Sequence, residues 1–244
     1  MAIKKGWLLL LFGGLLLLVV GYFGHKQWRH AQLAKALHDP DPVVRMDAVR
    51  KAGPDGQGDL LIEALRDDDP DIRYVAAGML RRVGPDNAEK IRGLLELSKD
   101  DHKYVREHAV ESLRYLPAGA RAFIYKGVED EDPRIRAGSA YALAYFPGIE
   151  VGMGYRLSPP ARPPGEEKTI ARLIIPLMKD ENLGVRKAAY FCLFSYALDE
   201  VEAARVVSTL QEAPAETDQD ARDLADRLLR WMKQPIRVGN RFSE

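Results

Sequence analysis

Few side chains in this chain could do chemistry, and they are scattered. The 244 residues include five histidines (His25, His30, His38, His102 and His108) and a single cysteine, Cys192. One cysteine excludes an internal disulfide framework and a thiolate metal cluster. No HExxH zinc motif occurs, and His102 and His108, six residues apart, fall on different sides of a helix. Gly152-Met153-Gly154-Tyr155-Arg156-Leu157 begins like a dinucleotide fingerprint, but it lacks the third glycine and any strand–helix context. There is no GxSxG elbow and no GxxxxGK[ST] phosphate loop. The acidic runs Asp67-Asp68-Asp69 and Glu129-Asp130-Glu131-Asp132 lack the ligand spacing of a calcium loop and read as helix caps and solvated turns. The expectation is a chain without catalytic residues, bound metal or cofactor, whose business is binding.

The elements that would position a binding surface repeat along the chain. Five segments align on Arg45, Arg73, Arg106, Arg136 and Arg186, spaced 28, 33, 30 and 50 residues apart. A β-branched residue precedes each arginine. A small residue follows at +3 (Ala48, Ala76, Ala109, Ser139, Ala189), and Ala52, Leu80, Leu113, Leu143 or Leu193 stands at +7. At 100° per residue, offsets −1, +3, +4 and +7 share one helical face. Four residues before the arginine stand Asp41, Asp69, Asp132 and Asn182, side chains suited to capping a helix start. The three aspartates are followed by proline, which is favoured at the first helical position. In the third segment His102-Lys103 replaces Asp-Pro, and the cap is expected from Asp100 or Asp101. A second amphipathic stretch precedes each such helix, as in Leu60 to Leu65 and Ile91 to Leu97, so each unit is a helical hairpin of about 30 residues.

The pattern of Asp-Pro, β-branched residue, Arg, Ala and Leu resembles HEAT repeats, and among them the bacterial phycobilisome-lyase HEAT-like variety, over residues 32–198. The resemblance implies an all-α solenoid of about five hairpins, curved so that the second helices line its inner surface. It further implies that the recurrent arginines form a ladder with neighbouring acidic groups. Bilin lyases share this repeat type, which makes chromophore handling the alternative to protein binding. HEAT-repeat hydroxylases hold a di-iron centre through paired His-Glu motifs, and no His-Glu dipeptide occurs here.

Offsets +1, +5 and +8 point away from the core face. In the second and third units they carry Tyr74, Arg81, Glu107, Glu111 and Arg114, a mixed charged surface. In the fourth and fifth they carry Tyr141, Ala144, Phe191 and Phe194, with Tyr145 adjacent. Tyr141, Tyr145, Phe191 and Phe194 are therefore the candidate partner-binding residues. The competing expectation is that a long loop or the terminal helices cover them. That loop, residues 147–166, holds five prolines and four glycines and is too long for an ordinary helix connection. Residues 199–244 contribute two further helices, Asp199 to Leu210 and Asp218 to Met232. The second carries an apolar stripe (Ala221, Leu224, Ala225, Leu228, Leu229, Met232) that suits a terminal cap or a partner-binding helix.

Ahead of the repeats, behind a short tail at 1–5, Gly6 to Gly24 is 19 residues without a charge. As a helix it is about 28 Å long, close to the hydrocarbon thickness of a bilayer. Trp7 at one end and Tyr22, Phe23 and Trp28 at the other stand where interfacial aromatics are favoured. A signal peptide would have a shorter apolar region and a small-x-small cleavage site, so residues 6–24 are expected to be an uncleaved transmembrane helix. Lys4 and Lys5 favour the N-terminus inside and the domain across a bacterial inner membrane, although Lys26, Arg29 and Lys35 nearly balance them. With 36 basic and 36 acidic side chains overall, and Lys4 and Lys5 set aside, residues 25–244 carry a net charge of −2. That balance argues against nucleic acid as a partner. Composition, motifs and repeats together predict a membrane-anchored, non-catalytic scaffold for a protein partner.

Overall fold

The computed structural model describes residues 2–83, 88–116, 121–144, 150–151, 155–156, 165–196, 198–213 and 216–233, with side chains from residue 17 onward outside two short strands. The chain divides into two compact units, Met1–Gly84 and Pro85–Glu244.

The first unit holds α1 (Ala2–Leu37), α2 (Pro42–Ala52), α3 (Gly58–Ala64) and α4 (Pro70–Leu80). In α2 the apolar offsets bury Ala48, Val49 and Ala52; in α4 they bury Ile72, Ala76, Ala77 and Leu80 completely. The alanines keep these helices thin where they meet. Gly53 ends α2 at a place where a Cβ would come 2.7 Å from Met79 Sδ of α4, so only glycine fits without displacing that side chain. Leu33 and Leu37, the last apolar residues of α1, close the same core. The apolar segment and the first repeat helix are one continuous helix of 36 residues. Gly21 and Gly24 each cost about 1 kcal/mol against alanine, too little to break a helix carried by long leucine runs. Among the described residues, no helix is long and apolar enough to cross a membrane. The side chains of residues 2–16, which include most of the segment 6–24, lie outside the described ones.

The second unit continues the hairpins. Its elements are α5 (Ala88–Glu96), α6 (Lys103–Arg114), α7 (Arg121–Gly127), α8 (Pro133–Leu143), α9 (Glu166–Ile174), α10 (Leu183–Phe194), α11 (Glu200–Glu212) and α12 (Gln219–Met232). Short 3-10 turns, Leu97–Lys99 and Ile175–Lys179, finish α5 and α9, the latter where Pro176 removes a helical N–H. The second helices pack in series, α6 on α8, α8 on α10 and α10 on α12, and bury Val105, Ala109, Leu113, Val185, Ala188, Ala189 and Leu193. Cys192 lies in this core. The Tyr196 hydroxyl donates to the Leu143 carbonyl, tying the end of α10 to the end of α8. Gly138 lets α8 approach the turn after α5, where a Cβ would come 2.5 Å from Ser98 Cβ.

The all-helical expectation holds except at one place. Within 147–166 the described residues include two two-residue strands, β1 (Glu150–Val151) and β2 (Tyr155–Arg156), paired antiparallel with Glu150 opposite Arg156. The rest of that segment up to 164 lies outside the described residues, as does Tyr145. Two further expectations are corrected. Ala144 is fully buried, because the chain turns to extended geometry there and α8 no longer carries the +8 offset outward. Neither Asp100 nor Asp101 caps the first turn of α6. His102 occupies the cap position without a side-chain bond, and Asp100 Oδ1 accepts the His102 N–H at 2.9 Å, one step upstream.

Candidate docking groove

Each helix start is built the same way. Asp41, Asp69 and Asp132 have extended backbones and accept the N–H two residues on, while Asn182 accepts from both Gly184 and Val185. Two residues earlier, Asp39, Asp67, Asp100, Asp130 and Asp180 accept the N–H of the cap residue itself at 2.8–2.9 Å. The arginine at the second turn then folds back over this knot. Nη1 of Arg45, Arg73, Arg106, Arg136 and Arg186 donates to the carbonyls six and five residues before it, for example Asp130 O and Glu131 O, both at 2.9 Å from Arg136. Carbonyls that a turn would otherwise leave to water thus gain a charge-assisted donor.

The opposite edge of the guanidinium joins one repeat to the next. Arg45 grips Asp67 with Nε and Nη2, both at 2.9 Å, and Arg136 grips Asp180 at 2.9 and 3.0 Å. Arg186 grips Glu216 at 2.7 and 2.8 Å, and the Tyr190 hydroxyl donates to the same carboxylate at 2.7 Å. Burial and the neighbouring carboxylate push the Tyr190 phenol well above its ordinary range. The Arg186 bond holds Glu216 below the usual carboxylate value against the opposing effect of burial. At Asp67 burial works upward, but Arg45 and the Asp69 N–H outweigh it.

Along α6, α8 and α10 the second unit opens a groove of about 810 Å³. Arg106, Val110 and Arg114 line it from α6 at i, i+4 and i+8; Ala137, Gly138 and Tyr141 line it from α8, and Phe191 from α10. The Tyr141 and Phe191 rings meet edge to face, centroids 5.4 Å apart, and both are half-buried. Burial raises the Tyr141 phenol above its normal range. Charged residues complete the lining, and among them the Lys103, Glu107 and Arg134 side chains are mostly exposed and form its rim. Arg114 donates to Glu111 at 3.0 Å and to the Tyr141 carbonyl at 3.1 Å, while its Nε is buried without an acceptor.

Residues 30–114 match the family model for HEAT repeats. The match spans three of the five arginine segments. No curated protein matches in sequence. Among solved structures, an archaeal HEAT-like repeats protein from Thermococcus onnurineus NA1 is similar with a TM-score of 0.48 at 14% identity, over 82% of this chain and 85% of that one. An engineered protein is similar at 0.45 and 20% identity, over 83% and 95% of the two chains. A designed armadillo repeat protein in complex with the peptide (KR)4 is similar at 0.45 and 15%, over 82% and 98%.

Of the four aromatic candidates, the fold brings two together. Tyr141 and Phe191 share the groove floor. Phe194, 37% exposed, turns instead toward Trp231 of α12, ring centroids 5.2 Å apart, so the terminal helix takes the contact that a partner would otherwise make. Tyr74, Arg81, Arg45 and Arg73 belong to the first unit and take no part in the groove. Sequence reasoning missed the aspartate six residues before every ladder arginine, although that column is complete in all five segments. It also missed a second Arg-Tyr clamp. Arg121, buried at the start of α7, pairs with Glu166 at 2.5 Å, and Tyr125 one turn later donates to the other oxygen at 2.5 Å. No local signal marks that pair, because the partners are 45 and 41 residues apart.

Proposed function

We propose that this chain is a membrane-anchored, non-catalytic repeat scaffold that holds a protein partner in the α6–α8–α10 groove. The observation that carries the reading is the groove itself: about 810 Å³, floored by the Tyr141–Phe191 pair and rimmed by charge. Aromatic anchors inside a polar rim are the composition of a protein-docking hot spot. Its wall residues include no cysteine or histidine, and Cys192 is fully buried. The bilin-handling alternative draws support from no feature of the described residues.

The anchor half of the proposal rests on the charge-free run at 6–24 and on α1. Leu17, Leu18, Val20, Tyr22 and Phe23 are all well exposed on a helix whose later turns bury Leu33 and Leu37. Such a run of apolar side chains gains free energy from a lipid environment at roughly 25 cal/mol per Å² of surface removed from water. Lys4 and Lys5 orient it with the N-terminus inside and the repeats across the membrane.

Detergent extraction and affinity purification of the full chain, read by mass spectrometry and visible absorbance, test both halves. A stoichiometric protein partner that Phe191→Asp releases supports the scaffold. A coloured eluate would replace it with chromophore handling. Release of the chain from membranes by alkaline carbonate would remove the anchor.

A further inference from the structure

The guanidinium of a ladder arginine has two edges, and three rungs show what each edge is for. In Arg45, Arg136 and Arg186, Nη1 serves the carbonyls of the turn, and the Nε–Nη2 edge takes a carboxylate: Asp67, Asp180 and Glu216. Arg106 fills the first edge alone, donating through Nη1 to Asp100 O and Asp101 O. Among the described residues no carboxylate pairs with its second edge. A guanidinium is always charged and carries five N–H donors, so this edge is a cationic fork without its anion.

The position of this edge decides what can reach it. Arg106 is a wall residue of the groove, and it is only half-buried. Val110 follows it one turn on, and Arg114 with its orphaned Nε one turn after that, above the Tyr141–Phe191 floor. Five cations and four carboxylates line the groove, but the carboxylates are largely committed. Glu111 is held by Arg114 at 3.0 Å, Glu107 by Lys103 at 3.7 Å, and Asp100 by the His102 N–H at 2.9 Å. The other cations are taken too, Lys99 by Glu96 at 2.5 Å and Arg134 by Asp132 at 3.4 Å, so the donor that an entering acid would meet is the second edge of Arg106.

We propose that the groove takes an acidic segment of a partner protein, one of whose aspartate or glutamate side chains completes the rung at Arg106. An apolar side chain two residues along, on the same face of an extended segment, seats on Tyr141 and Phe191. The proposal rests on the groove being the docking surface. The other rungs supply the bond geometry: a bidentate fork, both contacts near 2.9 Å.

The test uses full-length protein in detergent and two fluorescein-labelled octapeptides. One is two copies of Glu-Ser-Leu-Ser; in the other, glutamine replaces glutamate. The glutamate peptide is expected to bind about tenfold tighter. That advantage disappears in Arg106→Gln and shrinks in Arg106→Lys, which keeps the charge without the fork. The Arg106 Nε–H resonance of the unmutated protein shifts with the glutamate peptide only, a readout that does not depend on how the variants fold. Phe191→Ala weakens both peptides alike. Equal affinity for the two peptides, with Phe191→Ala still weakening both, overturns the Arg106 rung and leaves the groove standing. No binding, or binding indifferent to Phe191→Ala, overturns the groove and the rung with it. Tighter binding after removal of residues 234–244 would make that tail the occupant, and self-association lost in Arg106→Gln would make it a second copy. Either result counts against a partner segment.

Discussion

The groove along α6 and α8 and the end of the stack at α10 and α12 are made of the same parts put to opposite use. At the end, three side chains of α10 each have a partner. Arg186 has its carboxylate, Tyr190 shares it, and Phe194 has Trp231. In the groove, Arg106 keeps one edge open, and Tyr141 and Phe191 cover each other while leaving room above. The same columns of the repeat, arginine and +5 or +8 aromatic, therefore glue at one place and offer a surface at another. The deciding factor is whether the following segment brings an acid and a helix face to meet them. Stability should follow the closed end and binding the open one.

Replacing Leu228, which α12 buries completely, is the strongest way to test that division. Leu228→Ala should cost about 2–5 kcal/mol in urea denaturation, from lost transfer and the cavity left behind. Phe191→Ala, in a half-buried floor, should cost about 1–2 kcal/mol and act mainly on partner affinity. If the two variants lost equal stability, the groove floor would be core rather than surface. Next in size is Glu216→Ala, which strands the Arg186 fork and the Tyr190 hydroxyl together. A loss of about 2 kcal/mol is expected, against about 0.5 kcal/mol or less for Arg106→Lys, where no carboxylate is orphaned. Thermal unfolding of the two variants side by side reads that contrast.

A pH series sharpens the same point. Glu216 titrates lower in the folded chain than unfolded, so its contribution is full above the unfolded value near about 4.3 and is lost as pH falls through the folded one. Glu216→Gln should flatten the acid limb of the stability curve in that window, while Arg106→Gln should leave its shape unchanged. A parallel flattening in both would mean that Arg106 already has an acidic partner in the folded chain.

How much of this was legible in residue types depends on distance along the chain. Capping is local: a carboxylate at the cap reaches an N–H two residues on, so Asp-Pro followed by a β-branched residue, with arginine at the fourth position, announces a helix start. The aspartate column six residues before each arginine was as visible, but its role requires seeing the arginine fold back over its own turn. Helix periodicity identified the hairpins and the all-helical class. It could not separate Phe194 from Phe191. They lie three residues apart on one helix, and the approach of Trp231, 37 positions further on, decides their difference. Ala144 was misplaced for a related reason, since an offset rule assumes that the helix continues. The Arg121–Glu166 pair had no signal at all, because its two halves meet only once the long connection has returned.

The unbroken run of α1 has a mechanical corollary. Leu37 in the first core lies thirteen positions beyond Gly24, where the charge-free segment ends. As continuous helix that is about 20 Å of rigid shaft. If residues 6–24 sit in a bilayer, as proposed, the first unit would ride at a fixed height above the headgroups, without a tether's freedom to swing. A tilt of the buried part, whether from a thinner membrane or a neighbouring helix, is then delivered to α2 as rotation. A pair of glycines placed within residues 25–32 would turn the shaft into a hinge, and cross-linking distances from the first unit to lipid headgroups would broaden accordingly.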